Sequence, residues 1–251
     1  MPIPSVSIVI PTFNRAENLK RALASVLGQT ITEIEVIVVD DGSTDYTREV
    51  LSQSQDNRLV VEYLADNSGG PAIPRNIGIG KARAKWVAFL DSDDWWEPEH
   101  LAAKLAAIAR SGTRAACGNA FTFSAGMSES SLPQINTRVL ETLHGFMPTQ
   151  LELAYLLRNN LIITSSVVMR REDVIRVGGF PSTANGPVFE DYAVWLRAAT
   201  FTNFTVSNEV TVHYQTNSPD SYGAMNNEES ARGNTLLELQ RWLRREKTTN
   251  N

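Results

Sequence analysis

The strongest constraint on the fold is an alternation within the first ninety residues. Four apolar runs of strand length, at 6–10, 35–39, 59–64 and 86–90, are separated by three stretches with helical character. In the first of these stretches Leu19, Leu23, Val26 and Leu27 fall on one helical stripe. The second is a short helix ending near residue 54, and the third covers 76–83. The run at 35–39 is apolar on both faces, as a central parallel strand requires. Such alternation predicts an α/β fold with a doubly wound, mostly parallel sheet flanked by helices. Three of the runs hand over to polar residues at their carboxyl ends: Thr12 and Asn14, Asp40 and Asp41, Asp91 and Asp93. Ligands of such sheets sit beyond the carboxyl ends of the strands.

The third of these edges is the most charged. Asp91, Asp93 and Asp94 crowd three carboxylates into four residues, followed by Trp95 and Trp96. Like charges so close cost free energy unless a cation or hydrogen-bond donors lie between them. Two readings stay open from these residues alone: a metal–nucleotide site, or a solvated loop capping the helix that Pro98 introduces. Asn14 with Glu17 three residues on predicts a capping box at the first helix.

Further along, Leu101, Leu105 and Ile108 have helical spacing, 115–123 is strand-like, and 124–148 is polar and irregular. The pattern then predicts a helix over 151–157, a strand over 162–169 and a helix over 171–177. Gly178-Gly179-Phe180-Pro181 breaks the chain before a helix over 190–199 and short strands at 204–206 and 210–214. The division expected is one domain over 1–225, in two halves, 1–98 and 99–225. A C-terminal amphipathic helix and tail follow over 226–251. That last helix carries Leu236, Leu239, Trp242 and Leu243 along one side and is basic elsewhere. It suits either peripheral contact with an anionic bilayer and a lipid-linked acceptor, or packing on the domain or on another subunit.

The net charge of −5 gives no drive toward a nucleic-acid backbone. The single cysteine, Cys117, excludes an internal disulfide and a Cys-rich zinc site. No run approaches the ~20 apolar residues of a membrane span. The first residues lack the pattern of a signal peptide, so a cytoplasmic protein is expected.

Generic nucleotide motifs fail. Gly69-Gly70-Pro71 does not make a G-x-G-x-x-G loop, and Gly80-Lys81-Ala82 lacks the other elements of a P-loop. A specific order of signatures is present instead: Pro11-Thr12-Phe13-Asn14-Arg15; Asp40-Asp41-Gly42-Ser43; Asn67 to Pro71 with Arg75-Asn76; Asp91-Ser92-Asp93-Asp94; Gly178-Gly179-Phe180; and Glu190-Asp191-Tyr192. Over roughly residues 5 to 220 the chain resembles the inverting family 2 glycosyltransferases of the GT-A fold. The resemblance implies a metal-dependent enzyme that transfers a sugar from a nucleoside diphosphate, UDP foremost, to a saccharide hydroxyl in bacterial polysaccharide or glycoconjugate synthesis. The implied cation is Mn2+ or Mg2+.

Position by position, the resemblance implies that Pro11, Thr12 and Phe13 form the first nucleotide-contacting turn and that Asp41 accepts from the uracil imide. Arg75 falls on the nucleotide side. Asp91 and Ser92 would face the nucleotide and Asp93 the metal. Asp191 matches the catalytic base, although Glu190 and Asp191 at a helix start would also be explained by the helix dipole alone. Glu190 is structural or touches the acceptor. His213, Asn217 or water would complete the metal shell, and Trp195 is a candidate for stacking on an acceptor sugar. His100 and His144 are expected in surface or capping roles. Two alternatives stand beside this reading: a sugar-phosphate nucleotidyltransferase, for which a Gly-rich basic loop after the first strand is missing, and a binding-only relative without turnover.

Overall fold

Strands β1 (Val6–Thr12) and β2 (Ile34–Asp40) are buried at every residue, because helices cover both faces of the sheet they centre. The computed structural model describes residues 3–124, 134–135, 148–182, 188–216 and 228–249. With β3 (Leu59–Tyr63) and β4 (Trp86–Phe89) these strands run parallel in the order β3-β2-β1-β4. Their connections are α1 (Ala16–Leu27), α2 (Thr47–Gln53) and α3 (Ala72–Lys81). The sheet continues through β10 (Val168–Arg170), antiparallel to both β4 and β6 (Ala115–Gly118), then β11 (Phe204–Ser207), parallel to β6, and β9 (Gln150–Leu151) at the edge. A smaller sheet orders β5 (Trp95–Trp96), β12 (Val212–Thr216), β7 (Phe121–Ser124) and β8 (Gln134–Ile135). The remaining helices are α4 (His100–Ser111), α5 (Leu153–Leu156), α6 (Arg171–Arg176), α7 (Glu190–Ala198) and α8 (Glu228–Thr249).

Alternation along β1 divides the core. Ile8 and Ile10 pack toward α1, with Leu19 and Leu23, while Val9 faces the opposite layer with Phe89, Phe180, Trp195 and Phe204. Trp195 is 0% exposed, and its indole meets Phe89, Phe180 and Phe204 at centroid distances of 6.0, 6.0 and 5.7 Å. The sugar-stacking expected of Trp195 is therefore wrong: its ring faces are spent on the core. Leu239 and Trp242 of α8 join that same cluster, and Arg197 Nη2 meets Glu238 at 3.0 Å. Leu239 and Trp242, with Leu236 beside them, thus pack the C-terminal helix on the domain, as the packing alternative expects, while Leu243 of the same stripe stays exposed. No helix among the described residues is long and apolar enough to cross a membrane.

Two local expectations are corrected. Asn14 does not cap α1; at φ 50° its Oδ1 accepts from the N–H groups of Thr44 and Asp45 instead. Asp45 returns the contact by accepting from the Ala16 N–H at 3.3 Å, so the loops after β1 and β2 hold each other. Residues 162–169 are not one strand. A 3-10 turn at Thr164–Ser166 precedes the short β10, because hydroxyl side chains offer the backbone partners other than a ladder.

Lys104 lies on the buried stripe of α4 at 0% exposure, with Nζ donating to Thr211 Oγ1 at 3.3 Å. Burial pushes its ammonium down to about 8. Its unfolded counterpart holds the proton up to a higher pH, so the penalty is fully present below about pH 8 and relieved as pH rises toward the ordinary lysine value. At about 1.4 kcal/mol per pH unit the penalty is on the order of 3 kcal/mol. Lys104→Met is expected to be at least as stable as the wild type at neutral pH, with the difference shrinking as pH rises from 8. Denaturant midpoints of both proteins across that range check this. The thiol of Cys117, which burial pushes up to about 12 against the pull of Lys104, acts in the opposite direction, so the same pair is also compared in a Cys117→Ala background.

Candidate active site

Beyond the carboxyl ends of β1, β2 and β4 opens a cleft of about 830 Å3. One wall carries Pro11, Thr12, Phe13, Asp41, Arg75 and the Asp91-Ser92-Asp93 turn. The other carries Thr164, Glu190 and Asp191, with Ile162, Ile163 and Tyr214. Among the described residues, the fold therefore gathers all the sequence-selected site residues except Trp195 and His213 around one space.

On the first wall the adjacent acids Asp40 and Asp41 part ways. Asp40 is fully buried, accepting from the Ser43 N–H and from Arg48 Nε at 2.9 Å. Asp41 faces the cleft and accepts from the Ser68 N–H and hydroxyl, both at 2.9 Å. Gly42, at φ 76°, permits this approach: a Cβ there would meet Asn67 N at 2.7 Å. Phe13 is 40% exposed at the cleft edge, unusual for so large an apolar ring. The Thr12 hydroxyl is buried without a partner among the described residues.

The acidic turn is held from beneath. Asp94 is fully buried, accepting from Ser165 Oγ at 2.5 Å and from the Gln215 N–H at 2.8 Å. Burial, and then the charges of Asp93 and Asp91, raise its carboxyl well above the usual range. The Asp91 N–H donates to Ser165 Oγ at 3.0 Å, and Arg21, stacked 3.7 Å over the Trp95 ring, donates to the Asp93 carbonyl. Asp93 stays at the cleft, its carboxyl raised by burial and next by Asp91, with Arg15 opposing. Among the described residues no three His, Cys, Asp or Glu side chains converge as a metal cage. A crowded, partly desolvated carboxylate of this kind does suit Mg2+ or Mn2+, since Mg2+ takes one or two carboxylates and draws further ligands from substrate phosphates.

His213 is not among the residues that line the cleft. Its Nε2 meets Glu97 Oε1 at 2.6 Å, and its ring stacks on Trp95 at 4.5 Å with a 5° interplanar angle. The metal-ligand expectation for His213 fails because β12 pairs with β5 and directs that ring into the small sheet. Asn217 and His144 lie outside the described residues. His100 is not at the surface either: it is buried against Trp96, 4.1 Å between centroids, and burial holds it neutral, well below the ordinary histidine range.

Across the cleft, Arg75 links the two walls. Its Nη2 donates to Asp91 Oδ1 at 2.5 Å and its Nη1 to Glu190 Oε1 at 2.7 Å, with its side chain only 4% exposed. Burial alone would loosen its proton, but Asp91 and then Glu190 outweigh that and raise its pKa above the ordinary value. Glu190 is pushed up to about 7 by burial and by Asp191, against the pull of Arg75. Its carboxylate is one end of a buried ion pair, which favours the structural over the acceptor-contacting role. The neighbouring Asn76 clasps Phe180, donating to its carbonyl at 2.7 Å and accepting from its N–H at 2.8 Å. Gly179, at φ 66°, makes room: a Cβ there would meet Asn76 Oδ1 at 2.4 Å.

Asp191, in the first turn of α7, accepts from Thr164 Oγ1 at 2.8 Å and from the Tyr192 N–H at 2.6 Å. Each carboxylate oxygen keeps a further lone pair for an incoming proton. Sequence reasoning passed over Thr164, Ser165 and Ser68, and it gave Asp94 no role apart from the other acids of its turn. The one signal available was three hydroxyl residues in succession at 164–166, hidden inside a run that otherwise reads as strand.

Chemically, the arrangement offers an acidic, cation-suited turn on one wall and a hydrogen-bonded carboxylate on the other. Comparison with known proteins gives the same direction. The family model for glycosyl transferase family 2 matches residues 7–178. A Bacillus subtilis (strain 168) protein, "Putative teichuronic acid biosynthesis glycosyltransferase TuaG", is 33% identical over 195 residues, 77% of this chain and 71% of that one. The chain spans 33% and 30% of the length of two further relatives. Among solved structures, Staphylococcus aureus TarS in complex with UDP-GlcNAc superposes with a TM-score of 0.74 at 22% identity, over 95% of this chain and 66% of that one. The mannosyltransferase PcManGT of Pyrobaculum calidifontis, in complex with GDP-Man and Mn2+, gives 0.63 at 20% identity over 88% and 59%. At such identities the likeness is one of fold.

Proposed function

Because the chain belongs to glycosyl transferase family 2, we propose that it transfers a hexose, N-acetylhexosamine foremost, from UDP to a hydroxyl of a saccharide or other polyol polymer, with inversion. The observation that carries this reading is the cleft itself, with Asp91 and Asp93 on one wall and Asp191 on the other. The UDP-GlcNAc complex of TarS supports the donor class, and the name of the B. subtilis relative, a putative teichuronic acid biosynthesis glycosyltransferase, supports a role in polymer synthesis.

In this reading residues 1–98 bind the donor: Phe13 lies along the base, Asp41 reads the imide N–H, and Arg75 fixes the Asp91 turn. Residues 99–225 supply the base and the acceptor side. Asp191 takes the proton of the acceptor hydroxyl as its oxygen bonds to the anomeric carbon. The bond from that carbon to the diphosphate breaks, and its electron pair leaves with UDP. A divalent cation, held by Asp93 together with the donor's phosphates, would supply Lewis-acid neutralisation of that leaving group. One in-line displacement inverts the anomeric centre, so no second catalytic carboxylate is needed.

A thermal-shift panel tests the donor side. UDP at about 100 times its Kd contributes about 2.7 kcal/mol, and at about 2–4 °C per kcal/mol the melting temperature should rise by roughly 5–10 °C in the presence of Mn2+. Asp93→Ala should lose the Mn2+-dependent part of that rise. A protein indifferent to every pyrimidine nucleotide would contradict the assignment. Release of UDP from a UDP-sugar would separate the transferase from a binding-only relative.

A further inference from the structure

The 3-10 turn at Thr164–Ser166 sends three successive hydroxyls to three different elements. At about three residues per turn, successive side chains diverge by roughly 120°, which a strand's two-fold alternation cannot do. Thr164 Oγ1 donates to Asp191 on α7. Ser165 Oγ accepts from the Asp91 N–H and donates to Asp94, the two ends of the acidic turn, while its carbonyl accepts from Trp96 Nε1 at 2.7 Å. Ser166 Oγ accepts from the Gly118 N–H of β6 at 3.2 Å and donates to the Ile163 carbonyl at 2.7 Å. All three residues are buried, at 5%, 0% and 0% exposure.

We propose that this turn is the positioning element of the site: Thr164 orients the Asp191 carboxylate, Ser165 seats the Asp91–Asp94 turn, and the rigid peptide between them sets the separation of the two walls. The proposal rests on the reading of Asp191 as the base. Asp191 is free to rotate about its last torsion unless both oxygens are held. The Tyr192 N–H holds Oδ1 and the Thr164 hydroxyl holds Oδ2. Without the hydroxyl one anchor is lost, and the carboxylate spends most of its time misaimed at the incoming alcohol. A bland role, satisfying buried hydroxyls, predicts losses of stability without a division between the two walls.

That division is measurable. With UDP-N-acetylglucosamine as the probe donor, kcat and donor KM are read from UDP release, and UDP affinity with Mn2+ is read by calorimetry. Thr164→Val should lower kcat about 10–100-fold, as misplacement near a reacting centre does, with donor KM and UDP affinity within about twofold of wild type. Thr164→Ser, which keeps the donor, should recover most of the loss. Ser165→Ala should instead weaken UDP affinity and raise donor KM. A crystal structure of Thr164→Val should show the Asp191 carboxylate rotated, which can be read even if this donor gives no turnover. Asp191→Asn is the control: turnover surviving in it removes the base assignment itself. An inactive Asp191→Asn beside a Thr164→Val with wild-type kcat, or with Asp191 unmoved in the crystal, overturns the proposal alone.

Discussion

Asp191→Asn is expected to lower sugar transfer by about 10²–10⁴-fold while leaving UDP affinity unchanged. That factor corresponds to about 3–5 kcal/mol of barrier. The substitution preserves shape: the amide oxygen still accepts from the Tyr192 N–H and the amide NH2 can donate to Thr164 Oγ1, so the fold around α7 has no reason to move. What it removes is the capacity to take a proton from the acceptor hydroxyl. Because Asp191 is held by Thr164 and Tyr192 while Asp41 is held by Ser68, with no partner in common, the nucleotide side should not register the change. Steady-state kcat beside a calorimetric Kd for UDP checks both halves. Retained turnover would pass the role to another group, and the nearest, Glu190, is already committed to Arg75.

Arg75→Met is expected to be the most destabilising single change in the site. It leaves the 8%-exposed Glu190 and the partly exposed Asp91 side chain without the cation that binds both. Removing one partner of a buried ion pair costs about 3–5 kcal/mol. Methionine keeps most of the aliphatic stem, so cavity formation contributes little. Glu190 is held near 7 by burial and by Asp191 even with the guanidinium in place, and loss of Arg75 must raise it further. Below that value the carboxyl takes up a proton and the uncompensated charge disappears. The loss of stability should therefore be larger at about pH 8 than at about pH 6. Urea denaturation at both values measures it; an equal loss at the two would mean that Glu190 does not carry the penalty.

Much of this site was legible in the sequence, and what was not has a physical reason. The parallel half of the sheet follows from apolar runs alternating with helical stripes, since both patterns are local. The polar residues at the carboxyl ends of β1, β2 and β4 could be placed because strand direction alone brings those ends together. Trp195 was misjudged because a large aromatic on a helix reads the same whether it faces a cleft or a core. Only the approach of Phe180 and Phe204 decides it. His213 was misjudged because its partner Glu97 is 116 residues away and strand pairing in the small sheet leaves no periodic trace. Arg75 shows the same limit: its motif marked a nucleotide-side residue, while its bond to Glu190 crosses 115 positions. The turn at 164–166 hid inside an apolar stretch because hydroxyl residues are compatible with strands until their side chains find other partners.

The central claim is that the acids after β4 hold a cation against a sugar donor's diphosphate, within reach of Asp191. Crystals grown with UDP and Mn2+ test it directly, through the anomalous signal of the manganese. The account predicts a single strong peak in the coordination sphere of Asp93, shared with the diphosphate oxygens, with Asp191 facing it across the cleft. Manganese bound elsewhere, or UDP seated with its phosphates away from Asp93, would contradict it.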